Sequence, residues 1–283
     1  MCSKERPMST LNETPTSAIN RTQWQRYDSK QSLMLWLGWL CFVALTVFAW
    51  QVMNKDTIWY FVTDSPNQFA DISSRMWPPR WSYLESLWSP LWDTINIATL
   101  GTLLGIVLAF PVAFLAARNT TPSMTFIRPI ALFIIAASRS INSLIWALLL
   151  VAIIGPGLLA GIIAIALRSI GFVAKLMYEA IEEVNATQMS AIQSTGASPL
   201  QVLNYGILPQ VMPSFIGTSL FRWDINIRES TVLGLVGAGG IGLKLQESMA
   251  MLAWPQVTVI FCAILVTVIF SEWVAAKARK ALI

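Results

Sequence analysis

Glu179-Ala-Ile-Glu-Glu-Val-Asn-Ala-Thr-Gln188, then Met189-Ser-Ala-Ile-Gln-Ser-Thr-Gly196, then Ala197-Ser-Pro-Leu200-Gln-Val-Leu-Asn-Tyr-Gly-Ile-Leu208-Pro209-Gln210, run without a break between two long apolar segments. The stretch 178–210 is too polar to cross a bilayer and too long for a tight turn. Ala186–Thr195 has helix-compatible composition. Gly196 suits a helix C-terminus, and Ser198-Pro199 suits a fresh helix start. Leu200, Leu203, Ile207 and Leu208 then give the second short helix one apolar face. Two short helices at an elbow form a knob, and its apolar flanks make it the handle of a membrane protein.

The composition agrees. Of 283 residues, 55% are hydrophobic and only 12% charged, with a mean hydropathy of +0.59. An average soluble domain carries about 25% charged residues to keep its surface in water. Histidine is absent, which excludes His-based proton relays and His-ligated metal sites; no metal site is expected. Cys2, Cys41 and Cys262 form no CxxC pair, and Cys2 lacks the preceding apolar region of a lipoprotein signal. A net charge of +4 without a basic stripe does not suit nucleic-acid binding.

A helix needs ~20 apolar residues to cross the hydrocarbon. Six segments reach that length or approach it: Leu33–Met53, Ile95–Ala117, Pro129–Ile154, Leu158–Ala174, Val211–Val236 and Pro255–Val274. The expected fold class is therefore an all-α polytopic membrane protein of about six spans. Basic residues in short loops set the orientation. With the N-terminus inside, the cytoplasm holds Lys4, Arg6, Arg21, Arg26, Lys30, Arg118, Arg128, Lys175, Lys277, Arg279 and Lys280. The outside holds only Lys55, Arg75, Arg80 and Lys244. Both termini are expected in the cytoplasm. Residues 1–30 read as a polar cytoplasmic tail, and residues 31–283 as the membrane domain.

Outside, 54–93 is the longest expected loop. Near its end Trp81, Leu84, Trp88 and Leu91 share one helical face, after Met76-Trp-Pro-Pro79. Two readings stand: a helix lying in the interface, or a plain aromatic belt.

On these residues a resemblance becomes specific. Importers of the ATP-binding-cassette (ABC) class carry a cytoplasmic loop of the pattern Glu-Ala-Ala, three residues, Gly, nine residues, Ile, one residue, Leu-Pro. Here Ser190-Ala191-Ile192, Gly196, Ala197, Gly206-Ile207 and Leu208-Pro209 fall in that register. The Ala, Gly and Leu-Pro match; the leading Glu, the second Ala and the Ile do not. Arg228-Glu-Ser-Thr-Val-Leu-Gly234-Leu-Val-Gly-Ala-Gly-Gly-Ile-Gly242, Glu179-Ala-Ile-Glu-Glu, Pro209-Gln-Val-Met-Pro213 and Met76-Trp-Pro-Pro79 resemble the phosphonate and phosphite importer permeases. The methionine importer permease shares the Val-Gly-Ala-Gly-Gly segment. The resemblance implies an importer-type permease fold whose coupling loop, 178–210, docks on an ATPase subunit through Ser190, Ala191, Gly196, Ala197, Leu208 and Pro209. It also implies a homodimer in the bacterial inner membrane, a periplasmic solute-binding protein above and two ATP-binding subunits below.

Gly237-Ala-Gly239-Gly-Ile-Gly242 also satisfies GxGxxG, but a dinucleotide site needs a strand before it and an acid ~20 residues on. No acid lies between Glu247 and Glu272. The glycines read instead as an irregular turn ending a span. GxxxxGK[ST] is absent, so no cofactor is expected on this chain, and ATP with Mg²⁺ falls to a partner subunit.

Charge inside a span is costly and marks a bundle interior or a wet cavity. Arg222, Asn226 and Glu229 share a helical face. Asp224 and Arg228, four apart with the acid first, can pair on another. These groups, with Ser230, line a pathway or satisfy one another. Arg139 sits ~10 residues into its span, beside Ser138, Ser140, Asn142 and Ser143, with no acid between Ala117 and Met177. It suits a tetrahedral oxyanion through its planar fork, or pairs with Asp224 or Glu229 across helices. Arg168 is read as reaching the cytoplasmic headgroups. The expected function is a permease subunit importing phosphonate, phosphite or a related phosphorus oxyanion by alternating access, with no chemistry of its own. A methionine-like or phosphate permease, or a secondary transporter, is the alternative.

Overall fold

A computed structural model of the chain describes residues 29–282; all but the last two residues of the expected 1–30 tail lie outside them. In chain order the helices are α1 (Ser29–Asp56), α2 (Trp59–Met76), α3 (Leu84–Ala116), α4 (Ile127–Ser140), α5 (Ser143–Ile154), α6 (Leu158–Glu182), α7 (Ala186–Gln193), α8 (Pro199–Val202), α9 (Leu208–Leu233), α10 (Ile241–Ala250) and α11 (Trp254–Leu282). The described residues contain no strand. Four helices, α1, α3, α6 and α11, are long and apolar enough to cross a membrane, and the α4–α5 pair makes five when counted as one span. The expected fifth span is α9, which is long enough but carries Arg222, Asp224, Arg228 and Glu229.

The chain divides into two compact units, with the boundary at Ser65–Pro66 inside α2. In the first unit α1 exposes nearly every side chain, Trp36, Trp39 and Trp50 among them. In the second unit α3, α6 and α9 form the centre, with α4, α5 and α11 packed on them.

Small residues make the close helix contacts. Water-driven burial between helices is absent in lipid, so side chains that let backbones approach take over. Gly101 and Gly105 of α3 meet α6: a Cβ on Gly101 would lie 2.8 Å from Ile165, and one on Gly105 2.6 Å from Ser169. Gly171 of α6 likewise faces Ser138 of α4. Gly105→Leu is therefore expected to cost on the order of 3 kcal/mol through overpacking. The check is recovery and Tm of the purified protein against Gly38→Leu on α1, where no heavy atom lies within 4 Å. Equal Tm values would contradict the packing argument.

Three expectations are corrected. The third span, Pro129–Ile154, is not one helix: α4 and α5 meet at an 89° bend. The cause is local. In Ser138-Arg-Ser-Ile-Asn-Ser143, short polar side chains compete with the helix backbone. Ser140 Oγ donates to Ala136 O at 2.8 Å, and Asn142 leaves the helix to cap α5 by accepting from Leu144 N. The long external loop 54–93 holds the helix α2, too polar to be read as a span. The interface helix Trp81–Trp92 is not separate: after a 3-10 turn at Trp81–Tyr83, its residues are the first turns of α3. Leu87 is fully buried there against Ile241, Val257 and Ile260, while Trp81, Leu84 and Trp88 stay exposed.

Candidate translocation site

The intramembrane polar groups of α9 split as their spacing predicts. On one face Arg222 Nη2 donates to Glu229 Oε2 at 3.4 Å, and its Nε donates to Ser169 Oγ of α6 at 3.1 Å. Asn226 Nδ2 donates to Ser169 Oγ at 3.0 Å and to Thr102 Oγ1 of α3 at 2.7 Å. The Arg222 guanidinium lies 5.3 Å from the centroid of the Phe172 ring, a contact worth more where water is excluded. Arg222, Asn226, Ser169 and Thr102 are buried. Glu229 also receives Arg168 of α6, with Nε 3.5 Å from Oε1. Arg168 therefore reaches Glu229, where headgroups were expected.

On the other face Arg228 pairs with Asp224, and Ser271 of α11 donates to Asp224 Oδ1 at 2.9 Å. This pair borders a cleft of about 620 Å³ shared with Glu272, Arg279 and Lys280. Ser230 lies on neither arrangement: it is fully buried and its hydroxyl donates to Ile227 O of its own helix. Ser138 is a packing residue. Its Oγ donates to Leu167 O and accepts from Gly171 N, holding α4 on α6.

Arg139 is the last residue but one of α4, exposed at the bend beside Ser140 and Asn142, and it pairs with neither Asp224 nor Glu229. No acid among the described residues neutralises it. The broken helix puts a guanidinium, an amide and a capped helix start together, the kind of discontinuity that binding sites in membrane proteins use.

The glycine-rich segment is a turn between two helices, α9 before and α10 after, with no strand to form a dinucleotide site. Gly237, Gly239 and Gly240 have φ of +87°, +85° and +72°, which a side chain would strain. Thr94 of α3 fixes the turn by accepting from Ile241 N at 2.8 Å, and Gly157 N, in the α5–α6 connection, donates to Gly237 O at 3.0 Å.

On the expected cytoplasmic side the elbow forms as its residues dictate. Asn185 caps α7, and Gly196 turns the chain with φ of +81°. Ser198 and Gln201 make a reciprocal capping box on α8. The chain then passes through one π turn, Leu203–Ile207, into α9 at Leu208-Pro209. Ser190 and Gly196 are exposed and Ala197 is half-buried. A cleft of about 310 Å³ separates the elbow from the end of α3, lined by Phe114, Met189, Ala197, Leu200 and Leu203 among others. The base is braced by Glu182, which accepts from Arg118 N at 3.0 Å and from Arg128 Nη2 at 3.4 Å.

Sequence reasoning missed Thr94, Thr102, Ser169 and Glu182. A hydroxyl in an otherwise apolar span was the available signal for the first three; nothing local marked Glu182.

Comparison with known proteins follows the same lines. The model of the family described as binding-protein-dependent transport system inner membrane component matches residues 101–277. The phosphite transport system permease protein PtxC of Stutzerimonas stutzeri is 38% identical over 211 residues, covering 75% of this chain and 76% of that protein. The phosphate-import permease protein PhnE of Mycolicibacterium smegmatis is 38% identical over 240 residues, covering 85% of this chain and 44% of that protein. An inward-facing structure of the MetNI methionine ABC transporter superposes with a TM-score of 0.61 at 20% identity, covering 70% of this chain and 96% of that chain; at that identity it speaks to fold alone. With its helical architecture, its two-helix elbow and these relatives, the chain belongs to the binding-protein-dependent transport system inner membrane components, a family of multi-pass permeases.

Proposed function

We propose that this chain is the membrane-spanning subunit of an ABC importer that carries a phosphorus oxyanion, phosphonate, phosphite or a close relative, across the inner membrane. Relatives named for phosphite and phosphate transport support the substrate class. One observation in the chain itself carries it furthest. Arg139 has no acidic partner among the described residues, and Arg168 and Arg222 share the single carboxylate of Glu229. The bundle thus holds uncompensated positive charge, which is costly in lipid and favours a transient anion. Arg139, Ser140, Asn142, Arg222, Asn226, Arg228 and Glu229 are the pathway candidates, with Ser138 and Ser230 supporting them through backbone contacts.

Two copies of this chain would form the pathway, with a solute-binding protein outside and two ATPase subunits docked on the elbow through Ser190, Ala191, Gly196, Ala197, Leu208 and Pro209. ATP and Mg²⁺ would act on those subunits, and this chain would move without covalent chemistry. A secondary transporter is the second reading, favoured by the broken α4–α5 span. Purification of the tagged chain from its native membrane separates the two. A stoichiometric ATPase in the eluate is expected; its absence, with gradient-driven uptake, would overturn the importer reading.

Orientation has its own test. Ser82 and Ser198 are both exposed. With the native cysteines replaced by serine, Ser82→Cys is expected to react with an impermeant thiol reagent from outside. Ser198→Cys is expected to react only from the cytoplasmic side. The reverse labelling would contradict cytoplasmic termini.

A further inference from the structure

The contact between Arg168, Arg222 and Glu229 is unequal in a way that a plain ion pair is not. Arg222 is held in place: its side chain is 3% exposed, its Nε is bonded to Ser169, and its guanidinium carbon sits over the Phe172 ring. Glu229 and Arg168 are the open end, with side chains 19% and 30% exposed. The carboxylate reaches both guanidinium groups at 3.4 and 3.5 Å, well beyond the ~2.7–2.9 Å of a tight charge-assisted bond. One negative charge thus spans two positive ones, loosely, at the more exposed end of the network.

We propose that Glu229 is an internal stand-in for the transported oxyanion. In the empty state its carboxylate keeps Arg168 and Arg222 together, since two guanidinium groups in a low-dielectric interior would otherwise repel. An arriving phosphonate or phosphite offers three acceptor oxygens where a carboxylate offers two, and can carry a second negative charge. It takes the two forks, and Glu229 swings toward the exposed side. When the anion moves on, Glu229 returns. The competition lowers affinity and speeds release, as any pathway must, because a site that holds its cargo too well does not conduct. Arg168 thereby becomes an anion-contacting residue, and Glu229 sets how long the anion stays. This rests on the reading that an oxyanion crosses the bundle.

The test uses the assembled transporter, with its ATPase subunits, in lipid nanodiscs, and methylphosphonate and phosphite as probes. Glu229→Gln removes the competing charge at nearly constant shape. Equilibrium binding of both probes is expected to tighten on the order of tenfold, while ATP-driven turnover slows because release is slower. Glu229→Asp keeps the charge and is expected to bind near the wild-type level. Arg168→Gln, on the half-exposed partner, is expected to weaken probe binding by a similar factor. A merely structural ion pair would leave probe affinity unchanged in Arg168→Gln and unchanged or weakened in Glu229→Gln. Either pattern, with wild-type binding intact, would overturn the stand-in role alone. No binding and no uptake of any phosphorus oxyanion by the wild type would instead overturn the functional reading on which it rests.

Discussion

Gly196→Asp is expected to abolish substrate-stimulated ATP hydrolysis by the assembled transporter while leaving membrane insertion intact. Gly196 lies at the elbow with φ of +81°, where a residue with a Cβ costs roughly 1–2 kcal/mol. Space is not the obstacle, since no heavy atom lies within 4 Å of the position a Cβ would take. The effect would come from backbone strain between α7 and α8 together with a charge on the exposed docking face. Gly196→Asn separates the two causes, because asparagine tolerates the left-handed region and adds no charge. It is expected to keep most of the stimulation. ATPase rates with and without substrate-loaded binding protein decide the matter. Unchanged stimulated turnover in assembled Gly196→Asp would remove the coupling role from this elbow.

Arg139→Gln is expected to lower uptake by about two orders of magnitude, the loss of a charge-assisted contact worth roughly 3 kcal/mol. Assembly and basal ATP hydrolysis should survive, because Arg139 makes no ion pair or hydrogen bond with the described residues that its removal would break. Two-fold symmetry would bring two copies of Arg139 toward a common axis if the α4–α5 bend lines it, and an anion between them would relieve their repulsion. Arg139→Lys is expected to recover only part of the uptake, since an ammonium cannot present the planar fork. Uptake at the wild-type rate by the Gln variant would move the oxyanion contacts to Arg222, Asn226 and Arg228.

The parts of this architecture legible in the sequence are those governed by local rules. Long charge-free runs marked α1 and α3, and a run with one acid, Glu272, near its end marked α11; the Gly196 and Ser198-Pro199 signals placed the elbow because capping is decided within a few residues. Asp224–Arg228 was legible because i and i+4 are neighbours on a helix. The α4–α5 bend was hidden within Pro129–Ile154 because, read as one apolar run, its Ser138, Arg139, Ser140, Asn142 and Ser143 are outnumbered by apolar residues. Trp81, Leu84, Trp88 and Leu91 left two readings open because an apolar face looks the same whether it lies in the interface or continues a span; Leu87, buried against α10 and α11, ties these turns to the bundle. The partners of Arg222 and Asn226 were out of reach, since Ser169 and Thr102 come from other helices. Nor does any local rule say that Arg168 turns to Glu229.

The central claim is that this chain passes phosphorus oxyanions when an ATPase drives it. Uptake of labelled methylphosphonate into proteoliposomes is the direct measurement, with the chain reconstituted alongside its ATPase and binding protein and with ATP supplied on the cytoplasmic face. Accumulation is expected only with hydrolysable ATP, and unlabelled phosphonate or phosphite should compete with it. Uptake that needs no ATP, or ATP-driven uptake of another solute that phosphorus oxyanions do not inhibit, would contradict it.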